Sequence, residues 1–405
     1  MEVKENKDVL LTGIKVLDLA DEKASFCPKL LADMGASVIK VERPGGDPSR
    51  DIGPFWKNSP HPEKSLFFQY NNANKRGITL DLEKGLGREI FLKLVNKTDI
   101  VVETFPPGYL KDLGLGFEAL SEVNPRLILL SVTGFGKDGP RSKYKSCDLV
   151  ASAFGGSLCV SGSSSTPPLK PFGEQSHYTA SLFGAIAILL ALRKRTQSGK
   201  GEHIDISMQE AVASTLDHVM VRYFYDRVIP ERQGSLHWDS SFCISPCKDG
   251  YLLLTLFQQW ETLIELMDSE DMAEDLVEES WRDEEYRLRH ADHIIEVLER
   301  WTKTHTTDEL FKLGQLMRFP WAPVQSPREV LESPHLKARN FFVDMDYPQI
   351  GTSIKCPGSP YKFSSGFLNR RKRAPLIGED NISVYRNELG LSDEELQRLS
   401  SMHVI

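Results

Sequence analysis

The strongest constraint on this chain is a rhythm near its start. A short apolar run, "GIKVLDL" (Gly13–Leu19), leads into a stretch of helical character, "CPKLLADMG" (Cys27–Gly35), and then into a second apolar run, "ASVIKVE" (Ala36–Glu42). Gly35 is a natural helix stop, because glycine tolerates the left-handed backbone that ends a helix. Strand, helix, strand over about thirty residues is the length of one βαβ unit. The theme returns. "GITLDL" precedes a helical "KGLGREIFLKLVNK" and the strand "DIVVE" (Asp99–Glu103), and "LILLSVTG" (Leu127–Gly134) adds a further buried strand. Near-continuous apolar strands alternating with helices predict an α/β fold whose parallel sheet is covered on both faces.

At 405 residues the chain is too long for one ordinary core. Helical periodicity runs from Tyr178 to Arg195. "GKGEHIDISM" (Gly199–Met208) reads as a turn and a strand, and "QEAVASTLDHVMVRYFYD" (Gln209–Asp226) as a second long helix. Composition then shifts. The division expected is a first segment over 1–225, a smaller α+β domain over 226–325 and a return segment over 326–405. The longest apolar run, "LFGAIAILLAL" (Leu182–Leu192), is shorter than the ~20 residues a membrane span needs and is expected as a buried helix. The formal charge of −8 argues against general nucleic-acid binding, where basic excess is the rule. The six cysteines are scattered, unlike the framework of a small secreted domain. With a polar N-terminus lacking a secretory h-region, reduced thiols and a cytoplasmic location are expected. The histidines lack metal-ligand spacing, and no metal is expected.

An open α/β sheet binds its ligand beyond the carboxyl ends of its strands. The segments there are "RPGGDPSR" with Arg43, "NNANKRG" with Lys75 and Arg76, "TFPPGYLKDLGLG", and "TGFGKDGPRSKYK" with Lys137, Arg141, Lys143 and Lys145. Glycine, amide and basic groups at four successive strand ends of an acidic chain point to an anionic, phosphorylated ligand. Neither a G-x-G-x-x-G after the first strand nor a P-loop is present, and "GFGKDG" runs into proline with no helix opening, so ordinary dinucleotide and P-loop readings lose their support.

These stretches resemble the class III CoA-transferases, the CaiB/BaiF family of formyl-CoA transferase and L-carnitine CoA-transferase type. The resemblance rests on "GIKVLDL", "LLADMGASVIKVERPGGDPSR", "NNANKRGITLDL", "DIVVETFPPGYLKDLGLGFEAL", "NPRLILLSVTGFGKDGP", "AILLALRKRTQSGKGEHIDISMQEA" and "PWAPVQSPREVLESPHLKARNFF", in order along nearly the whole chain. It implies a Rossmann-like large domain with a parallel sheet built from both chain ends, an inserted smaller α+β domain, and two chains interlocked as a dimer. Coenzyme A or acyl-CoA is the implied substrate. Arg43, Asn71, Asn72, Ala73, Asn74, Thr104, Phe105 and Lys145 fall where family members contact it. Two positions depart: "ADEKASF" (Ala20–Phe26) replaces a small Gly-Pro turn, and Asp112 stands where a base is frequent, with Lys111 beside it to compensate. Aromatics in "HWDSSF" or "FQQW" are candidate lining for an acyl pocket.

The family's transfer chemistry needs an aspartate at the start of the long helix. Its carboxylate attacks the thioester carbonyl, the C–S bond breaks, and CoA thiolate leaves a mixed anhydride. The thiolate then attacks the aspartyl carbonyl and CoA stays on the enzyme as a thioester. Counting back from "ALRKR", that position is His177, whose ring has no carbonyl to carry CoA. Glu174, three residues upstream, is the nearest carboxylate, and the residues favour a solvated loop position for it. Family racemases use a histidine and an aspartate; Asp148 matches the second, but Cys147 stands in place of the first. The expectation is a subunit of a heteromeric class III CoA-transferase, a dimer or heterotetramer whose paralogous partner supplies the aspartate. It is similar to the non-catalytic subunit type of the two-subunit benzylsuccinate CoA-transferase. The alternatives are an active homodimer using Glu174, and a catalytically dead CoA-binding or regulatory protein.

Overall fold

The computed structural model describes residues 10–237, 242–348, 351–364 and 372–405. The chain divides into two compact units, one of Met1–Ser157, Pro171–Val221 and Lys337–Ile405, the other of Leu158–Lys170 and Arg222–Leu336. The second unit thus also takes in Leu158–Lys170, which the sequence reading assigned to the first segment.

In chain order the larger unit opens with β1 (Lys15–Leu19), α1 (Phe26–Asp33), β2 (Ser37–Glu42), α2 (Leu66–Asn71), β3 (Arg76–Thr79), α3 (Gly85–Val95) and β4 (Ile100–Glu103). There follow a short turn of helix, α4 (Tyr109–Asp112), then α5 (Phe117–Val123), β5 (Ile128–Thr133), α6 (Asp148–Phe154), α7 (Gln175–Ser198), β6 (His203–Ser207), α8 (Met208–Ala213) and α9 (Asp217–Asp226). The six strands form one parallel sheet in the order β3-β2-β1-β4-β5-β6. Alternate side chains of β1, β4 and β5 feed two separate cores. Val16, Ile100, Val102, Leu130 and Val132 pack with α1 and α7, while Leu17, Val101 and Leu129 pack with Phe91 of α3 and Leu120 of α5. Burial on both faces explains why these strands read as continuous apolar runs.

The predicted second long helix is broken. Ser214 Oγ bonds back to Glu210 O (2.8 Å), Thr215 Oγ1 to Val212 O (2.7 Å), and Leu216 N to Ala213 O (3.2 Å), so the chain tightens and separates α8 from α9. Side chains that compete for helix carbonyls have this effect.

The apolar run in α7 is only half-buried, against expectation. The buried face holds mostly small residues, Ala180, Ser181, Gly184, Ala185 and Ala191, beside Ile188. They bring the helix close to the sheet; a methyl group added at Gly184 would lie 2.9 Å from Leu130 Cδ2. The larger side chains point out, with Leu182 44%, Ile186 55% and Leu190 64% exposed at successive i, i+4 positions. By length and composition α7 would suit a membrane span, but half of that window is buried in the protein, as in the core helix of a soluble fold.

In the smaller unit β7 (Leu236–His237), β8 (Phe242–Pro246), β9 (Tyr251–Thr255) and β10 (Ala322–Pro323) form an antiparallel sheet in the order β10-β9-β8-β7. Between β9 and β10 come α10 (Trp260–Asp268), α11 (Glu284–Arg289), α12 (Ala291–Thr302) and α13 (Thr307–Leu316). Its core is rich in indoles: Trp260, Trp281, Trp301 and Trp321 are all buried. Trp260 of "FQQW" is a core residue of this unit, under the Arg287 guanidinium at 5.0 Å. In "HWDSSF", Trp238–Ser241 lie outside the described residues.

The chain returns through α14 (Pro327–Glu332) and α15 (Pro334–Ala338), then β11 (Phe342–Tyr347), β12 (Thr352–Pro357) and α16 (Asp393–Ser401). Among the described residues the C-terminal part adds no strand to the parallel sheet, which corrects the expectation of a sheet built from both chain ends. β11 and β12 pair only with each other. The free edge of β3 is satisfied by side chains instead. Gly77 N donates to Asp380 Oδ2 (2.8 Å), Thr79 N to Asn381 Oδ1 (2.9 Å), and Tyr385 OH to Thr79 O (2.6 Å). An edge capped in this way needs no seventh strand. The return segment completes the core with Val384, Tyr385, Leu399 and Val404.

Candidate active site

The strand order reverses between β1 and β4, the place where open α/β sheets bind ligands. Across that point Asp21 N donates to Thr104 Oγ1 (3.0 Å), and Thr104 Oγ1 donates to Asp21 Oδ1 (2.8 Å). A cleft of about 250 Å³ opens here over the ends of β1–β4. Leu19, Val41, Leu80 and Leu82 make its lining apolar. Phe105 and Tyr109 form an aromatic wall, their ring centres 4.7 Å apart, and Arg43 stands among the lining residues. Partial burial pushes the Tyr109 phenol above its ordinary value, with Arg43 opposing and Glu83 adding to the rise. The arrangement suits a flat heteroaromatic base carrying an anionic group.

A buried ionic frame holds the loops around the cleft. Lys75 Nζ donates to Asp18 Oδ2 (2.7 Å), Ser25 O (2.8 Å) and Asn72 Oδ1 (2.7 Å), and both charges of the Lys75–Asp18 pair are fully buried. Burial pulls the Lys75 ammonium down to about 8, with Asp18 opposing. Lys40 pairs with Asp47 at 2.7 Å, and Arg50 binds Glu42 through both Nε and Nη2 at 2.7 Å. The unusual "ADEKASF" segment is thus tied down by Lys75 at Ser25 and by Lys40 at Ala20 O.

The residues singled out from sequence fall into separate groups. Arg43, Thr104 and Phe105 meet in the cleft. Asn72 and Ala73 are fully buried, the first bonded to Lys75 and Phe68 O, the second packed against Met345 and Tyr347. Asn74 holds the return segment, accepting from Lys372 N (2.7 Å) and donating to Asp33 Oδ1 (2.8 Å). Lys111 lines a neighbouring hollow of about 160 Å³ with Glu103, Lys137 and His203. Lys137 pairs with Glu103 at 3.1 Å, and burial lowers the His203 imidazole further than the nearby Lys137 does. Lys145 is exposed and lines neither space. Tyr109 and Glu83 were not singled out from the sequence. Their signal was position, since both lie in segments that follow β3 and β4.

His177 lies in the first turn of α7, 5% exposed. It lines a small recess with Glu22, Phe26, Phe67, Asn71, Glu174, Tyr178 and Ser181, and no room for a water molecule remains in it. Glu174 precedes the helix, half-exposed, its Oε2 3.8 Å from His177 Nδ1. Burial, then the charge of Asp21, raises the Glu22 carboxyl above its ordinary value. Asn71 therefore borders this recess and not the cleft. Asp148 has a helix-capping place: its Oδ1 accepts from Ser176 N and Ser176 Oγ, both at 2.8 Å. A buried carboxylate that satisfies the open amides of a helix start favours the fold through hydrogen bonding and the helix dipole. Replacing Asp148 by alanine is expected to lower stability by about 1.5–3 kcal/mol, the worth of hydrogen bonds to a charged group. A urea titration of the variant checks this.

With this geometry in view, the comparisons are unambiguous at the level of family. The family model described as CoA-transferase family III matches residues 11–381. The chain is 34% identical, over 96% of its length and 97% of the relative's, to the succinyl-CoA:(R)-benzylsuccinate CoA-transferase subunit BbsE of Thauera aromatica. It is 32% identical to the beta subunit of succinyl-CoA–L-malate CoA-transferase of Chloroflexus aurantiacus, over 98% of both chains. The crystal structure of a CaiB/BaiF family protein from Brucella suis superposes with a TM-score of 0.85 at 29% identity, covering 94% of this chain and 99% of that one. The chain belongs to CoA-transferase family III.

Proposed function

We propose that this chain is the non-catalytic subunit of a heteromeric CoA-transferase, moving CoA between an acyl-CoA and a carboxylic acid together with a paralogous subunit. The observation that carries the reading is His177 in its closed recess. The transfer needs a side-chain carboxyl at the start of the long helix, because the enzyme must hold first an acyl group and then CoA on the same carbonyl carbon. An imidazole has no such carbon, and the recess around His177 is filled by its own side-chain neighbours. The cleft over β1–β4 keeps the character of a CoA nucleotide site, with Phe105 and Tyr109 for the adenine and Arg43 for phosphate.

Two observations favour a partner of the same family. Two relatives sharing about a third of this sequence are named as subunits. The outer face of α7 carries Leu182, Ile186 and Leu190 in a continuous stripe, while the inner face carries mostly small residues beside Ile188. A helix with its largest apolar groups outward is built to be covered a second time. An interlocked dimer of two paralogous chains would cover it. The test is to purify the chain alone and together with a co-expressed paralogue carrying aspartate at the equivalent position. The co-purified complex is expected to turn over acyl-CoA with an acceptor acid, and the isolated chain to show no turnover and no covalent adduct by intact mass. Turnover by the isolated chain, or hydroxylamine-sensitive labelling of Glu174, would show that it carries its own nucleophile and refute the reading.

A further inference from the structure

The geometry points to Glu83 as a specificity-determining residue of the cleft over β1–β4: a carboxylate that holds Arg43 and must be displaced before a phosphorylated ligand can use it. The inference rests on reading the cleft as the CoA nucleotide site. Among the described residues that line the cleft, Arg43 is the sole cation, against Asp21, Glu42, Asp47 and Asp81. Most of those carboxylates already have cations of their own. Asp21 is bound by Lys23, Glu42 by Arg50 and Asp47 by Lys40. Asp81 lies 3.6 Å from Lys84.

Arg43 is different. It follows β2, is more than half-exposed, and its Nη2 lies 3.5 Å from Glu83 Oε1 and 3.5 Å from Tyr109 OH. Tyr109 OH donates to the same Glu83 oxygen at 3.2 Å. Glu83 is itself placed by its backbone, whose N–H donates to Asp81 Oδ1 (3.0 Å) in the turn before α3. Two groups, Arg43 after β2 and Tyr109 after β4, therefore converge on one oxygen of a carboxylate that follows β3, beside the aromatic wall. An arriving phosphate would compete for Arg43 and also meet the negative charge of Glu83 at close range. A neutral ligand seated on Phe105 and Tyr109 would meet neither obstacle. The cleft should then grip the base of a nucleotide normally and its phosphates weakly.

The experiment is isothermal titration of the full chain, wild type and Glu83→Gln, with CoA and with adenosine at low and high salt. Exposed ion pairs are worth up to about 1 kcal/mol, so Glu83→Gln is expected to tighten CoA by up to about five-fold. The gain should shrink at high salt, where exposed charges are screened, and adenosine affinity should stay unchanged. Glu83→Lys should tighten CoA further, and adding Arg43→Gln to Glu83→Gln should erase the gain. Unchanged or weaker CoA binding in Glu83→Gln overturns the inference. So does an equal gain for adenosine, which would mean that the mouth had merely opened. If wild type and Glu83→Gln bind neither ligand, the inference fails together with the nucleotide-site reading; if both bind CoA equally, the inference alone fails.

Discussion

Replacing Lys75 by alanine is expected to cost about 3–5 kcal/mol of folding stability, the usual penalty for stranding one member of a buried ion pair. Lys75 and Asp18 are both fully buried, and the ammonium also satisfies Ser25 O and Asn72 Oδ1. Without it, the Asp18 carboxylate keeps the Ala20 N–H at 2.9 Å, in a fully buried environment that cannot solvate it. The double variant Lys75→Met with Asp18→Asn should recover much of the loss, because removing both charges removes the desolvation cost with the attraction. Urea-denaturation midpoints of the two single variants and the double variant would check this. A Lys75→Ala midpoint within error of wild type would mean that water reaches the pair. The consequence is functional as well as structural, since Lys75 anchors the loop that carries Asp21 into the cleft.

Replacing Phe105 by alanine is expected to weaken CoA binding about 10- to 100-fold, because stacking a base on an aromatic side chain is worth about 1–3 kcal/mol. Phe105 and Tyr109 form one wall, so the loss should be similar for CoA and for adenosine, in contrast to the phosphate-selective effect expected at Glu83. Tyr109→Phe keeps the ring and loses the hydroxyl that touches Glu83 and Arg43, and should leave adenosine binding near wild type. Isothermal titration measures both, with circular dichroism confirming the fold of each variant. Unchanged CoA affinity in Phe105→Ala would remove the base from this cleft.

Much of the architecture was legible in the sequence. The strands from "GIKVLDL" to "LILLSVT" are buried on both faces, so their apolar runs and the helices between them announce a parallel sheet without help from distant contacts. The ligand end of that sheet followed from the same pattern, which singled out Arg43, while Thr104 and Phe105 were named through the family resemblance; all three line the cleft. His177 was singled out through the family resemblance, and the chemical argument then needs the sequence alone, since a ring without a carbonyl carbon cannot carry CoA as a thioester.

Tertiary structure decided the rest, because those outcomes turn on contacts between residues far apart in the chain. Asn72 and Asn74 look like ligand amides in isolation, yet the first bonds Lys75 and the second Lys372, with Ala73 between them packed against Met345. The return segment has strand-forming sequence, but Asp380, Asn381 and Tyr385 had already satisfied the edge it would have joined. The run "LFGAIAILLAL" reads as buried by composition, and only the approach of Gly184 to Leu130 determines that its small side faces the sheet and its large side faces out. Periodicity records which residues prefer to leave water, a local property of each segment. Which carboxylate meets Arg43, and which groups enclose His177, depends on loops brought together by the sheet.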